Sequence, residues 1–186
     1  FFWHIFCDWY LELSKYHLYN KEDVAGKKRT QAVLRHVIDQ SMRLLHPFMP
    51  FIAEEIWQMV RQDIKGETES IVMASFPKPV QGQFSEAAAD IGRVTQIVEA
   101  LRTIRGENGI PYSKAIKTII HTTDKKETEL IQRLSHYILH LANVESLDIE
   151  DSAQKPAKSA RGVVGGIDIF VPLEGLVDLD KEVKRL

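Results

Sequence analysis

The chain has 186 residues, of which 44% are hydrophobic and 27% charged, and its formal net charge is -2. This composition is typical of a soluble protein that folds as one well-cored domain or two small ones. The near-neutral charge excludes a strongly basic protein that coats nucleic acid, so any nucleic-acid contact must use a local patch. No apolar run approaches the ~20 residues of a membrane span, so no membrane contact is predicted.

The cysteine content and the first residues of the chain bear on its cellular location and on whether it belongs to a longer protein. The single cysteine, Cys7, cannot form an internal disulfide, which favours a reducing, cytoplasmic location. The first residues carry no basic leader, so no signal peptide is predicted. Since the chain opens at Phe1 within an apolar helical pattern, we expect it to be part of a longer protein.

Apolar residues at helical spacing predict a first helix from Phe2 to about Tyr19. Its apolar stripe comprises Phe2, Phe6, Trp9 and Leu13, widened by Trp3, Ile5 and Tyr10. The segment "NKEDVAGKKRT" is polar and contains Gly26, so a loop is predicted there. A second helix is expected from about Thr30 to His46, with an apolar face inward.

The stretch "LLHPFMPFIAEEIWQ" predicts a corner between two helices. Pro47 ends the second helix, whereas Pro50 is tolerated in the first turn of a third helix over about residues 50 to 62. The predicted core of that helix comprises Phe51, Ile52, Ile56, Trp57 and Met59. Trp3, Trp9 and Trp57 are all expected in the core rather than as platforms for stacking bases. The run "SIVMASFPKP" is expected to lie across the bundle as an extended strap.

A small α/β unit is predicted after the bundle. Residues 79–110 are expected to form a linker and a long connecting helix, which Ser85 caps and which ends at about Arg105. Residues 111–172 then predict a β-α-β-β order. The elements are a strand 115–121, a helix opened by a capping box of Asp124 and Glu127, a strand 144–150, a loop 151–160 and a hairpin turning at Gly165-Gly166.

The predicted fold is therefore mainly α. A helical bundle over 1–78 is followed by the connecting helix, the small α/β unit and, over 173–186, the start of a C-terminal coiled coil.

Candidate catalytic and metal-binding patterns are weak throughout the chain. His136 and His140 have the i, i+4 spacing of two zinc ligands, but no third ligand is near in sequence. Cys7 lies on a helix rich in tryptophan, which favours a small buried side chain over a nucleophile. No catalytic residue, metal site or cofactor is predicted for this segment.

Basic residues on helical faces are the remaining candidates for binding. Lys15, Arg35 and Arg43, together with the cluster Lys27-Lys28-Arg29, could form a phosphate-binding patch. The alternative is that Arg35 and Arg43 only pair with Asp39, which lies four residues from each. The residues themselves leave both interpretations open.

Three segments together resemble a known family. "FFWHIFCDWYLELSK", "LLHPFMPFIAEEIWQ" and "SIVMASFPKP" are similar, in order and spacing, to the anticodon-binding helical domain of class I aminoacyl-tRNA synthetases specific for valine, isoleucine and leucine. "VEALRTIRGENGIPYSK" resembles the family's arginine-containing helix, and "FVPLEGLVDLDKEVKRL" resembles the join to the coiled coil of its valine-specific members. HIGH-like and KMSKS-like signatures, with which such enzymes act on ATP, are absent from this sequence.

The resemblance implies that the parent protein is an aminoacyl-tRNA ligase that attaches valine to its tRNA with ATP and magnesium. For this segment it implies docking of a valine-specific tRNA at the anticodon stem-loop, in a monomer, with valine and ATP bound elsewhere. The expected tRNA-binding residues are Lys15, Arg35, Arg43, Arg102 and Arg105, of which the last two match arginines of the family helix. An isoleucine- or leucine-specific synthetase and a non-catalytic helical scaffold are the alternatives.

Overall fold

A computed structural model describes residues 1–61, 69–79, 82, 84–151 and 156–176. The chain forms two compact units, Phe1–Gly82 and Gln83–Leu186. The described part is mainly helical and carries one small mixed sheet, as the sequence predicts. The predicted coiled coil over 173–186 falls mostly on residues outside the described part, because that part ends at residue 176.

Three helices form the first unit. Helix α1 has a π-helical section, Phe2–Tyr10, that continues into an α-helical section, Leu11–Tyr19. Helix α2 spans Val24–Leu45 and helix α3 spans Pro50–Arg61. The proline corner is confirmed, since the last turn of α2 closes at residue 46 and α3 begins at Pro50. A short 3-10 turn, Ile71–Met73, follows, so the predicted strap is extended only after this turn.

The loop predicted between α1 and α2 is wrong for its second half, because α2 begins at Val24. Asp23 caps the helix, with its carboxylate accepting a hydrogen bond from the Gly26 amide at 2.7 Å. This bond, and then a second from His17, lowers the pKa of Asp23 from its ordinary value. A Cβ on residue 26 would lie 1.9 Å from an Asp23 oxygen, so only glycine leaves room for the capping carboxylate here. The glycine therefore marks a helix start rather than a loop.

The core of the first unit lies between α2, α3 and the turn after α3. Its buried members are Met42, Ala53, Trp57 and Ile71, and Phe2, Ile38, Leu45, Ile56 and Ala74 pack around them. The core prediction is confirmed for Trp57, which is 1% exposed. It is wrong for Trp3, Phe51, Ile52 and Met59, which are all exposed. The buried face of α3 carries Ala53, Trp57 and Arg61 at four-residue steps, so Phe51, Ile52 and Met59 point away from the core.

The described residues of the second unit form two helices and four strands. The helices are α4, Ser85–Glu107, and α5, Lys125–Ala142, and the strands are β1, Ile116–His121, β2, Val144–Glu150, β3, Ser159–Val164, and β4, Ile167–Pro172. The sheet order is β2-β1-β4-β3. Strands β1 and β2 are parallel and joined through α5, whereas β4 is antiparallel to both β1 and β3. The β-α-β-β prediction is confirmed.

Helix α4 is part of this unit's core rather than a free connection. It packs on α5, β3 and β4 and buries its apolar stripe. The buried apolar residues of α4 are Val94, Ile97, Val98, Leu101 and Ile104. The sequence predicts a long connecting helix here. The apolar stripe of α4 can be recognised in the sequence, whereas the sheet that covers this stripe cannot. The predicted cap also differs, since Phe84 precedes the helix and provides no side-chain cap.

The start of α5 confirms one half of the predicted capping box. Asp124 accepts a hydrogen bond from the Lys126 amide at 2.8 Å. Glu127 does not complete the box, because the Asp124 amide donates to the Thr122 hydroxyl and Glu127 pairs with Arg93 at 3.0 Å. Arg93 thus links α4 to the first turn of α5.

The β3–β4 turn requires glycine at two adjacent positions, Gly165 with φ 51° and Gly166 with φ 87°. A Cβ on Gly165 would also lie 2.1 Å from Arg93 Nη1. We expect Gly165→Ala to destabilise the protein by about 1–3 kcal/mol, measured by urea unfolding. Gly92→Ala is the control, because Gly92 is helical with no atom within 4 Å of its added Cβ. Equal stability of both variants would contradict the requirement.

Candidate nucleic-acid interface

A groove of about 480 Å³ runs along one face of α2 in the first unit. Its lining residues are Gln31, Ala32, Arg35, His36, Asp39, Arg43 and Arg61. Gln31, Arg35, Asp39 and Arg43 follow at four-residue intervals, so a single stripe of α2 forms most of the wall. Arg61 comes from the last turn of α3. We call this cavity the arginine groove.

Asp39 organises the arginine groove by accepting several hydrogen bonds at one oxygen. Its Oδ1 accepts from Trp57 Nε1 at 2.8 Å, from Arg43 Nη2 at 3.0 Å and from Arg61 Nη1 at 3.4 Å. The Arg61 guanidinium lies 4.2 Å from the centroid of the Trp57 ring, which adds a cation–π contact. The indole, the carboxylate and two guanidinium groups are therefore held in fixed relative positions.

The arginine groove carries an excess of positive charge. Three arginines face one carboxylate among the described lining residues, so these four side chains carry a net charge of +2. Arg35 takes no part in the Asp39 cluster, and its buried Nε has no hydrogen-bond partner among the described residues. The buried Nε of Arg43 is also without a partner in this part of the chain. A groove lined by guanidinium groups with an excess of positive charge is suited to an anion such as a phosphate.

The structure brings together two of the five predicted binding residues. Arg35 and Arg43 both line the arginine groove. Arg43 pairs with Asp39 at 3.0 Å, whereas Arg35 forms no ion pair with Asp39 in the described part of the chain. Lys15 is not among the lining residues and pairs with Glu12 at 2.6 Å. That hydrogen bond raises the pKa of Lys15 above its ordinary value.

The other two predicted residues belong to α4 in the second unit. Arg102 is exposed and donates a hydrogen bond to the Leu141 carbonyl at 3.3 Å. Arg105 is 4% exposed and makes five hydrogen bonds to backbone carbonyls at 2.8–3.2 Å. All five guanidinium donors are engaged, and burial lowers the pKa of Arg105 from its ordinary value. In this geometry every guanidinium donor of Arg105 has a backbone acceptor within the second unit.

Sequence reasoning missed Arg61 as a member of the site. Its only signal is its position four residues after Trp57, which places both side chains on one face of α3. The pairing across two helices, from α3 to Asp39 of α2, depends on their packing and has no local pattern.

The described ranges contain neither a cluster of metal-binding side chains nor a helix that could span a membrane. Among residues 1–61, 69–79, 82, 84–151 and 156–176, no group of three or more His, Cys, Asp or Glu side chains is placed to hold a metal ion. Within the same ranges, every helix is too short or too polar to cross a membrane.

A helical unit that carries a cationic groove is a form suited to binding the phosphate backbone of a nucleic acid. The family described as the anticodon-binding domain of tRNA ligase matches residues 1–140, and the chain belongs to this family. Over its whole length it is 43% identical to the valine–tRNA ligase of Oceanobacillus iheyensis, 42% to that of Bacillus licheniformis and 40% to that of Syntrophotalea carbinolica. The chain spans 20–21% of the length of these relatives.

Proposed function

We propose that this chain is the tRNA-docking region of a valine–tRNA ligase and that it binds the anticodon stem-loop of a valine-specific tRNA. The observation that carries the proposal is the 43% identity to a valine–tRNA ligase across the entire chain. The arginine groove supports it, because an RNA loop presents closely spaced phosphates to such a surface. The isoleucine- and leucine-specific alternatives have no comparable support among these relatives.

The parent protein, in this proposal, attaches valine to its tRNA with ATP and magnesium. Valine and ATP bind in the part of the parent that this chain does not contain, and this segment supplies RNA binding alone. The parent works as a cytoplasmic monomer. Within it, residues 1–78 serve as the helical anticodon-binding domain, 79–110 as the connection, 111–172 as the α/β unit and 173–186 as the start of a coiled-coil arm.

The arginine groove contributes to docking through its fixed guanidinium groups. Asp39 holds Arg43 and Arg61 in place, so little side-chain entropy is lost when an RNA phosphate binds between them. Arg35 lines the groove and has no carboxylate partner among the described residues, so it supplies a positive charge for a phosphate. Lys15 and Arg102 are proposed as peripheral backbone contacts, whereas Arg105 acts only through the stability of its own unit.

The test of this proposal is the Arg35→Ala variant in an RNA-binding titration. Losing one charge-assisted contact should weaken binding of a valine anticodon stem-loop by about tenfold and lower the salt slope by about 1. Arg35 was chosen because its removal leaves the Asp39 cluster intact.

Arg29→Ala is the matched control for this titration. Arg29 belongs to the exposed Lys27-Lys28-Arg29 cluster on the same helix and does not line the arginine groove, so the comparison decides between the groove and that cluster as the phosphate-binding surface. Its removal subtracts the same charge and should change affinity by less than about twofold. If both substitutions weakened RNA binding equally, the binding would result from diffuse electrostatic attraction rather than from the groove. If Arg35→Ala bound the stem-loop with wild-type affinity, the groove would not be the binding site.

A further inference from the structure

The α2–α3 corner and the outer face of α3 carry large apolar side chains that the described residues of the first unit leave exposed. We call this set the corner surface, and its members are Phe48, Met49, Phe51, Ile52 and Met59, which are 83%, 41%, 91%, 51% and 57% exposed. Ile52 and Met59 lie seven residues apart, which places them on one side of α3. That side is opposite to Trp57 and therefore faces away from the core.

The exposed area is large for a protein of this size. With about 200 Å² for a fully exposed large side chain, the corner surface presents on the order of 600 Å². The largest apolar patch of a typical monomer is ~300–600 Å², and such patches commonly mark interaction sites. A stable interface buries about 800 Å² on each partner, so the corner surface could supply most of one side.

The charge around the corner surface favours a protein partner over RNA. Residues 48–60 contain Glu54 and Glu55 and no lysine or arginine. Glu54 is engaged by the Ser70 hydroxyl and the Ile71 amide, whereas Glu55 is exposed on the outward side. An RNA backbone would meet uncompensated negative charge here, which opposes binding. An apolar protein surface with a lysine or arginine opposite Glu55 fits both features.

The relatives are much longer than this chain, which favours a partner surface within the same polypeptide. The chain spans 21% of the valine–tRNA ligase of Oceanobacillus iheyensis, so about four fifths of that protein consists of other segments. We propose that the corner surface docks against an apolar surface elsewhere in the parent ligase chain and so anchors the RNA-binding unit to the remainder. This inference rests on the proposed function, because it requires the parent to be such a ligase.

Hydroxyl-radical labelling of this chain and of the parent protein tests the inference without any substitution. Phe51 and Met59 are expected to label at least fivefold more slowly in the parent, because the docked surface is excluded from solvent. Trp57 is the internal reference, since it is 1% exposed and should label poorly in both proteins. Equal labelling of Phe51 and Met59 in the two proteins would overturn the proposal.

Phe51→Ser provides a second, independent measurement. It should leave the melting temperature of this chain unchanged, because the ring contacts solvent, and lower that of the parent by several degrees. A lowered melting temperature in neither protein would argue against docking. If Phe51 and Met59 were protected in this chain alone and the protection rose with protein concentration, the surface would bind a second copy of the chain. If Phe51→Ser weakened stem-loop binding, the surface would bind RNA. Either result would overturn the proposal.

The two proposals fail in different measurements. If Arg35→Ala weakens stem-loop binding but Phe51 labels equally in both proteins, only the corner-surface proposal fails. If Phe51 is protected in the parent but no stem-loop binds, the proposed function fails.

Discussion

Replacing Arg105 with methionine is expected to destabilise the second unit by about 3 kcal/mol or more. The guanidinium donates to four backbone carbonyls, those of Pro111, Lys114, Ala142 and Asn143. Two of them belong to the end of α5, where the last carbonyls of a helix have no partner within the helix. Methionine fills a similar volume but leaves these carbonyls without a donor.

The position of Arg105 explains why one side chain has so large an effect. It connects the end of α4, the segment before β1 and the turn between α5 and β2. In that turn Asn143 has a left-handed conformation with φ 48°, so its carbonyl faces the guanidinium rather than continuing the helix. A lysine has a single ammonium group and cannot reach four carbonyls, so Arg105→Lys should restore only a small part of the stability.

Arg102→Met is the control for this measurement. Arg102 lies less than one turn away on α4 and is exposed, so its replacement should cost less than about 1 kcal/mol. Urea unfolding followed by circular dichroism would compare the variants. If Arg105→Met were as stable as Arg102→Met, the carbonyl contacts would contribute nothing and Arg105 would again be available as a binding residue.

Replacing Asp39 with alanine is expected to destabilise the first unit by about 3–5 kcal/mol, because two largely buried guanidinium groups lose their shared carboxylate. The side chains of Arg43 and Arg61 are 18% and 8% exposed, so water cannot fully replace the lost partner. The Trp57 indole also loses its acceptor at 2.8 Å. The penalty therefore comes from several groups that each lose an acceptor rather than from one ion pair.

Asp39→Asn separates the charge of this cluster from its hydrogen bonds. The amide keeps one oxygen for Trp57 but removes the negative charge, so we expect a loss of stability between those of wild type and Asp39→Ala. The control is Arg133→Ala, which removes a pair with Asp90 whose arginine side chain is 63% exposed and should cost less than about 1 kcal/mol. If thermal and urea unfolding gave Asp39→Ala and Arg133→Ala the same loss of stability, Asp39 would not be the centre of the cluster.

Local patterns predicted the helices and strands well where a residue type alone determines the conformation. Pro47 and Pro50 placed the corner, and Gly165 with Gly166 placed the hairpin turn. The start of α2 could not be predicted in the same way, since its first turns are mostly polar, their Val24 and Val33 are exposed, and Asp23 caps the helix. Apolar periodicity, the main helical signal, is absent where a helix buries no face.

The candidate site was predictable only in part because exposure depends on tertiary packing. Arg35 and Arg105 are both arginines on helices, and no local feature of the sequence distinguishes a groove cation from a buried donor to carbonyls. Likewise, Phe51 and Trp57 lie on the same helix, but only Trp57 turns toward α2. Composition predicts which residues are able to bind, whereas packing decides which of them remain available.

The shared oxygen of Asp39 also determines how the arginine groove can change during evolution. Any substitution of Arg43 or Arg61 disturbs a carboxylate that holds the core indole, so under the proposed function a change in RNA affinity at these positions would carry a cost in folding. Arg35 is outside this arrangement, so under the same proposal a change at that position would alter RNA affinity and leave the cluster intact. Natural variation that tunes RNA binding through the groove should therefore accumulate at position 35, while positions 39, 43 and 61 change together or not at all.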